Sequence, residues 1–242
     1  MKIDRHSPSS LNLFAASPAM FVAERILGLK QPVGAIAHRG SAVEAGLTHG
    51  LLNPDSPLED CVAIALTFYD TLTALSGDVR REELRKSIPA MVASALEELR
   101  PYGEPTRSQD FVEWRPDGLE YPIVGYLDYA WDQHGIVVDL KTTSALPSKI
   151  KGGHARQVAL YATSDNYSAR IAYVTPKKRA TYAVENVREH RKALHQIALS
   201  CERFLALSDD PEFFVSITAP DVESFYWAPP EARQMAFEVW RI

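Results

Sequence analysis

The segment Gly125–Thr142 limits the fold more than any other part of the chain. It reads Gly-Tyr-Leu-Asp-Tyr-Ala-Trp, then the turn Asp132-Gln-His-Gly135, then Ile-Val-Val-Asp-Leu-Lys-Thr. Aromatic and β-branched runs on either side of a short polar turn are the signature of a β-hairpin. A symmetric turn centred between Gln133 and His134 sets Asp128 opposite Asp139, and Tyr126 opposite Lys141. Directly paired positions lie about 4.5–5.5 Å apart at Cβ, where like charges destabilise a sheet. A hairpin that keeps two facing carboxylates therefore needs something to neutralise them. The strand period of two puts Asp139 and Lys141 on one face and Ile136, Val138 and Leu140 on the other. The expectation is one face given to the core and one to chemistry.

Two carboxylates across a hairpin, with a lysine beside them, suit a hard oxygen-seeking cation such as Mg²⁺, which keeps several waters and is held by few protein groups. The bland alternative is a surface hairpin in which Asp139 and Lys141 form an ordinary solvated ion pair. An Asp-x-Lys triplet alone does not separate the two.

Before the hairpin the chain reads as helices. One begins with Ser9 or Ser10 as N-cap and stops at Gly28; others are expected over Ala35–Leu52, Leu58–Leu75 and Arg81–Arg100, between Pro, Gly and Asp punctuation. From Arg107 the texture turns to strands: Phe111–Trp114, Val124–Trp131 and Ile136–Thr142. A short helix over His154–Ala162, strands at Ala169–Val174 and Thr181–Val184, and a long helix over Val187–Leu207 follow. The tail after Pro211 carries Phe213, Phe214, Phe225, Tyr226, Trp227 and Trp240, which is too aromatic to stay free in water.

A chain of 242 residues suits one domain elaborated with extra helices. No apolar run reaches the roughly 18 residues of a membrane span, and the first residues lack the plan of a secretory signal. A cytoplasmic protein is the expectation. The two cysteines, Cys61 and Cys201, stand alone without metal-ligand spacing. The net charge of -5 argues against a protein that coats nucleic acid indiscriminately, but leaves room for an enzyme with a local basic groove.

Gly125-x-x-Asp128, then ten residues, then Asp139-Leu-Lys141 at the end of a buried-type strand resembles the PD-(D/E)XK nuclease signature in spacing and placement. Three further stretches extend the resemblance towards the RecB-like and phage exonuclease branch. Ser7-Pro-Ser-Ser-Leu-Asn-Leu-Phe14 with Ser17-Pro18 is similar to its N-terminal helix. Ala37-His-Arg-Gly-Ser-Ala-Val-Glu44 is similar to the helix that supplies a further acid, and Arg156-Gln157-Val-Ala-Leu-Tyr161 to its Gln-x-x-x-Tyr helix. Leu127 stands where the family name has proline.

The resemblance implies an α/β fold with a restriction-endonuclease-like αβββαβ core, a mixed central sheet and additional N-terminal helices. Residues 1–242 would form one nuclease domain, with a helical part over 1–105, a catalytic sheet core over 106–207 and a packed tail over 208–242. It further implies that Glu44, Asp128 and Asp139, with the Leu140 carbonyl, hold Mg²⁺, for which Mn²⁺ can substitute. Lys141 would position the attacking water or offset charge, and Gln157 and Tyr161 would support it. His38 falls in a Gly34-x-x-x-His38 spacing similar to a histidine motif of the same branch, although a lone histidine near a helix start also serves as a cap or packing residue. Lys149, Lys151 and Arg156 could hold a phosphate backbone. No iron-sulfur cluster is expected: the N-terminal cysteine of cluster-bearing relatives is Ser17 here, and the C-terminal trio is missing. The implied partner is DNA, with a single-strand annealing or recombination protein and a homo-oligomer as further expectations. The implied activity is a DNA exonuclease. A restriction-like or structure-specific endonuclease, and a non-catalytic DNA-binding scaffold that kept the fold, are the rivals.

Overall fold

The computed structural model describes residues 3–30, 32–162 and 167–242. Its contacts divide the chain into two compact units, one built from Met1–Pro32, Glu113–Gly125 and Arg188–Ile242, the other from Val33–Val112 and Tyr126–Val187.

The first unit opens with helix α1 (Pro8–Ala16) and the single turn α2 (Pro18–Phe21), which runs into a π-helical turn over Val22–Ile26. The N-cap of α1 is Ser7, earlier than the sequence suggests; its hydroxyl accepts a hydrogen bond from the Ser10 amide at 3.2 Å. Pro8 decides this, because its missing N–H and fixed φ suit the first helical position and move the cap to the residue before it. His6 bridges to Ile123 and lies 3.1 Å from Glu202. Glu202 also accepts the amides of Glu120 and Tyr121, both at 3.0 Å. Part of the aromatic tail is packed as expected: Trp227 is buried and donates to Ser17 at 3.3 Å, and Phe214 is buried. Phe225 departs from that expectation and stays 86% exposed.

The second unit carries helices α3 (Ala35–Leu52), α4 (Leu58–Leu72) and α5 (Arg81–Leu99). Helix α4 stops at Leu72, short of the expected Leu75, where the Thr73 hydroxyl donates back to the Tyr69 carbonyl at 2.7 Å and takes up the end of the helix. Helices α3 and α4 meet closely at Gly46, where a methyl group would come within 2.6 Å of the Cys61 carbonyl. Strands β1 (Arg107–Trp114), β2 (Ile123–Trp131), β3 (Ile136–Thr142), β4 (Ser168–Val174) and β5 (Arg179–Ala183) follow, with α6 (Gly152–Tyr161) between β3 and β4. They form a five-stranded sheet in the order β1-β2-β3-β4-β5. Because β3 pairs antiparallel with β2 but parallel with β4, the sheet is mixed. The chain continues through α7 (Val187–Leu205), α8 (Pro211–Ser216) and α9 (Pro230–Trp240).

The hairpin register is the expected one: Tyr129 pairs with Val138, Ala130 with Val137 and Trp131 with Ile136. The left-handed backbone the turn needs falls on Gly135, at φ +60°. Ile136, Val138 and Leu140 do join the core formed with α3, α4 and α5, but Val137 and Asp139 on the opposite face are buried as well. The second face of β3 is thus covered as well, which sets aside the alternative of a solvated surface hairpin. A parallel neighbour at β4 with its crossover helix α6 is the reason, since such connections lay a helix over the sheet.

Candidate active site

Three elements bring the acidic groups together, all within the second unit. Strand β2 contributes Asp128, β3 contributes Asp139 and Lys141, and α3 contributes Glu44. The recorded β2–β3 pairing ends at Tyr129 and Val138. The next β3 amide on that side, Leu140, donates to the Asp128 carboxylate at 2.7 Å. Asp128 therefore replaces a ladder carbonyl at the point where the pairing stops, and the expected partnership of Tyr126 with Lys141 is not formed. Glu44 is tied to β2 through its backbone, because the Tyr129 hydroxyl donates to the Glu44 carbonyl at 3.3 Å and lies 2.7 Å from Thr48 Oγ1.

Asp139 is wholly buried. Lys141 Nζ lies 2.6 Å from its Oδ2, and apart from that ion pair neither Asp139 oxygen has a polar partner among the described residues. Burial raises the Asp139 carboxyl above the ordinary carboxylate range, with Lys141 opposing. Asp128 is raised further, by burial and then by the charges of Asp139 and Glu44. Glu44 is raised by burial and by Asp139, against the pull of Lys141. Burial alone would lower the Lys141 ammonium, but Asp139 and Asp128 outweigh it and hold the group above its usual value. The result is three carboxyl groups and one cation sharing a poorly solvated space.

A buried carboxylate that lacks hydrogen bonds is costly unless something positive meets it. The donors are hard oxygens, which fits a small divalent cation. Among the described residues no three His, Cys, Asp or Glu side chains already form a ready-made metal cage. The acids are instead turned to protein partners: Asp139 to Lys141, Asp128 to the Leu140 amide and Glu44 to the amide of Gln109.

Helix α6 covers this face. Gln157 and Tyr161 lie one turn apart with Gln157 Nε2 3.5 Å from the Tyr161 hydroxyl. Tyr161 is buried and its phenol is pushed up to about 12, by burial first and also by the nearby charges of Asp139 and Asp128. Lys149 and Lys151 are exposed and Arg156 is half-buried on the same helix and its approach. No hydrogen bond joins His38 to the acids among the described residues, and it lies half-buried near the start of α3.

The sequence model of the PD-(D/E)XK nuclease superfamily matches residues 5–216. The chain belongs to that superfamily. No curated protein matches this PD-(D/E)XK chain significantly. Among solved structures, the crystal structure of SSO0001 is similar at 13% identity, covering 82% of this chain and 89% of that one, with a TM-score of 0.34, a likeness that carries no argument about function.

The superfamily signature misses two members of the cluster. Gln109 on β1 holds Glu44, and it does so from φ +52°, a left-handed conformation that costs a non-glycine residue of the order of 1 kcal/mol. Nothing in the sequence flags that conformation. His154 on α6 lies 2.8 Å from the Tyr173 hydroxyl, and its imidazole is held down to about 4 by burial, Lys141 and Lys151. Here a signal existed: His154, Gln157 and Tyr161 share one helical stripe.

Proposed function

We propose that this chain is a Mg²⁺-dependent deoxyribonuclease that hydrolyses phosphodiester bonds, acting on DNA ends in recombination or repair. The observation that carries the reading is Asp139, fully buried with Lys141 as the one polar partner of its carboxylate among the described residues, and with Asp128 and Glu44 beside it. Crowded, poorly solvated carboxyl groups are costly to a fold and gather at functional sites, and a divalent cation held by them is what metal-assisted phosphodiester hydrolysis uses. Because membership of the superfamily is carried by residues 5–216, which run through both compact units, we take residues 1–242 as one nuclease domain.

Asp128, Asp139 and Glu44, with the Leu140 carbonyl, would hold the ion. When bound, Mg²⁺ polarises the scissile phosphate and lowers the pKa of a coordinated water. Lys141, anchored by Asp139, supplies fixed positive charge for the phosphate as negative charge builds on it. Gln109 keeps Glu44 turned towards the cluster. Tyr161, buried and within the field of Lys141 and Asp139, and Gln157, 3.5 Å from its hydroxyl, would support that pair from α6. Lys149, Lys151 and Arg156 meet the phosphate backbone away from the reacting bond. A recombination or annealing partner and a homo-oligomer belong to the same reading, as does a cytoplasmic location; among the described residues no helix is long and apolar enough to cross a membrane.

The test is digestion of end-labelled linear DNA and of covalently closed circular DNA, each with Mg²⁺ or EDTA. Mg²⁺-dependent release of nucleotides from linear DNA, with circles left intact, is the expected result. Cut circles would replace the exonuclease with an endonuclease on the same core. No cleavage of either would overturn the nuclease reading.

A further inference from the structure

Phe111 on β1 and Tyr126 on β2 are large aromatic side chains left 49% and 60% exposed. They are not scattered singly: their rings meet edge to face, with centroids 5.5 Å apart and planes at 62°. Along β2, Tyr126 and Asp128 alternate with the buried Leu127 and Tyr129, so the strand period puts Tyr126 on the side of Asp128. Along β1, Phe111 and Gln109 are both exposed while Val112 is buried. Tyr126 therefore lies two residues, or roughly 7 Å of strand, from Asp128, and Phe111 is held against Tyr126 by the ring contact and follows Gln109, the donor to Glu44, by two residues.

We propose that Phe111 and Tyr126 form a stacking platform for an unpaired base of the DNA strand whose phosphate lies at Asp128, Asp139 and Lys141. The inference rests on the nuclease reading and adds a substrate class to it. In a T-shaped pair at least one ring keeps a face free, and every nucleobase has a face to match it, so the contact is strong but indifferent to sequence. A paired base already has both faces covered by its neighbours. The platform thus selects single strands, overhangs or frayed ends over blunt duplex, and it sits on strands rather than loops, so its distance from the acids is fixed.

The experiment measures binding of a single-stranded oligodeoxynucleotide and of the matching blunt duplex in Ca²⁺, with cleavage of the same strand in Mg²⁺. Phe111→Ala and Tyr126→Ala should each weaken single-strand binding by about fivefold or more, raise KM more than they lower kcat, and leave duplex binding within about twofold, on the order of a lost exposed contact. Tyr126→Phe should restore binding, since stacking needs no hydroxyl. Phe111→Leu, which keeps apolar bulk without a ring, should not. A strand with abasic sites should bind wild type and Tyr126→Ala alike, because the two changes remove the same contact. Wild type that cleaves and binds single strands no better than the alanine variants, or Phe111→Leu that binds like wild type, would overturn the platform and leave the nuclease intact. Wild type that binds the strand but never cleaves would overturn the nuclease reading, and wild type that binds neither probe would overturn both.

Discussion

The hairpin of β2 and β3 carries aspartates at both ends, and the fold treats them in opposite ways. At the turn, Asp132 accepts Arg107 Nη2 at 2.8 Å and Nε at 3.1 Å, the Tyr167 hydroxyl at 2.6 Å and, through its own amide, binds Thr106 at 2.9 Å. Arg107 and Tyr167 hold its carboxyl well below the usual range. At the open end, Asp128 accepts one backbone amide and Asp139 has Lys141 alone among the described residues, and burial holds both carboxyls above the usual range. The strands and residue type are the same, so neither explains the contrast. The turn satisfies its charge from the protein alone, whereas the open end sets three carboxyl groups against the single cation of Lys141. Stability is served at one end and chemistry at the other.

The largest expected effect follows from that division. Asp128→Asn, Asp139→Asn and Lys141→Ala should each reduce cleavage by about 10²–10³-fold or more, measured as initial rates on labelled DNA, with folding intact by circular dichroism. Near-normal rates in any of them would erase the contrast. Next in size is Gln109→Ala, which frees Glu44; loss of a group that orients a ligand typically costs about 10–100-fold in metal affinity or activity. Gln109→Asn, which tolerates the left-handed backbone but is one methylene shorter, tests whether reach or conformation matters.

The two ends should also give stability of opposite sign with pH. At Asp132 the folded carboxyl titrates below the unfolded one, so its contribution is present above about pH 3.9 and is lost as pH falls towards its depressed value. At Asp128 and Asp139 the folded groups titrate above the unfolded ones, so the metal-free protein loses stability as pH rises from about 3.9 through their raised values. Denaturant melts in EDTA across this range should show the second slope in wild type and a flatter one in Asp128→Asn. The smallest effect is Arg107→Ala. Both partners of that ion pair are partly exposed, at 29% and 38%, so screening limits the loss to about 0.2–1 kcal/mol, or a few degrees in Tm, with no change in cleavage.

Much of this contrast is legible in the sequence. The facing aspartates follow from counting outward from Gln133 and His134, and the bounds of α3 and β3 agree with periodicity and turn residues. What is not legible depends on non-local packing. The burial of Asp139 comes from α6 lying across β3, which alternation within one strand cannot show. Gln109 reaches Glu44 only because the backbone of β1 turns left-handed, a conformation its residue type does not announce. Arg107 and Tyr167 meet Asp132 across long sequence separations, so the quiet end of the hairpin was as hidden as the reactive one.

The most direct test of the central claim, that the open end of the hairpin awaits a cation, is a thermal melt of wild type and Asp128→Asn in EDTA, Mg²⁺ and Ca²⁺, paired with a cleavage assay. A ligand that binds only the folded state stabilises it by RT ln(1 + [L]/Kd), about 2.7 kcal/mol at a hundredfold excess, which for a chain of this size is roughly 5–10 °C. Both metals should raise the melting temperature of wild type, and Mg²⁺ alone should support cleavage, because Ca²⁺ takes longer bonds and looser coordination. Asp128→Asn should melt higher than wild type in EDTA and respond little to either metal. Superimposable melts of wild type in all three conditions, or cleavage that persists in EDTA, would contradict the account and return Asp128 and Asp139 to an ordinary, if crowded, pair of structural charges.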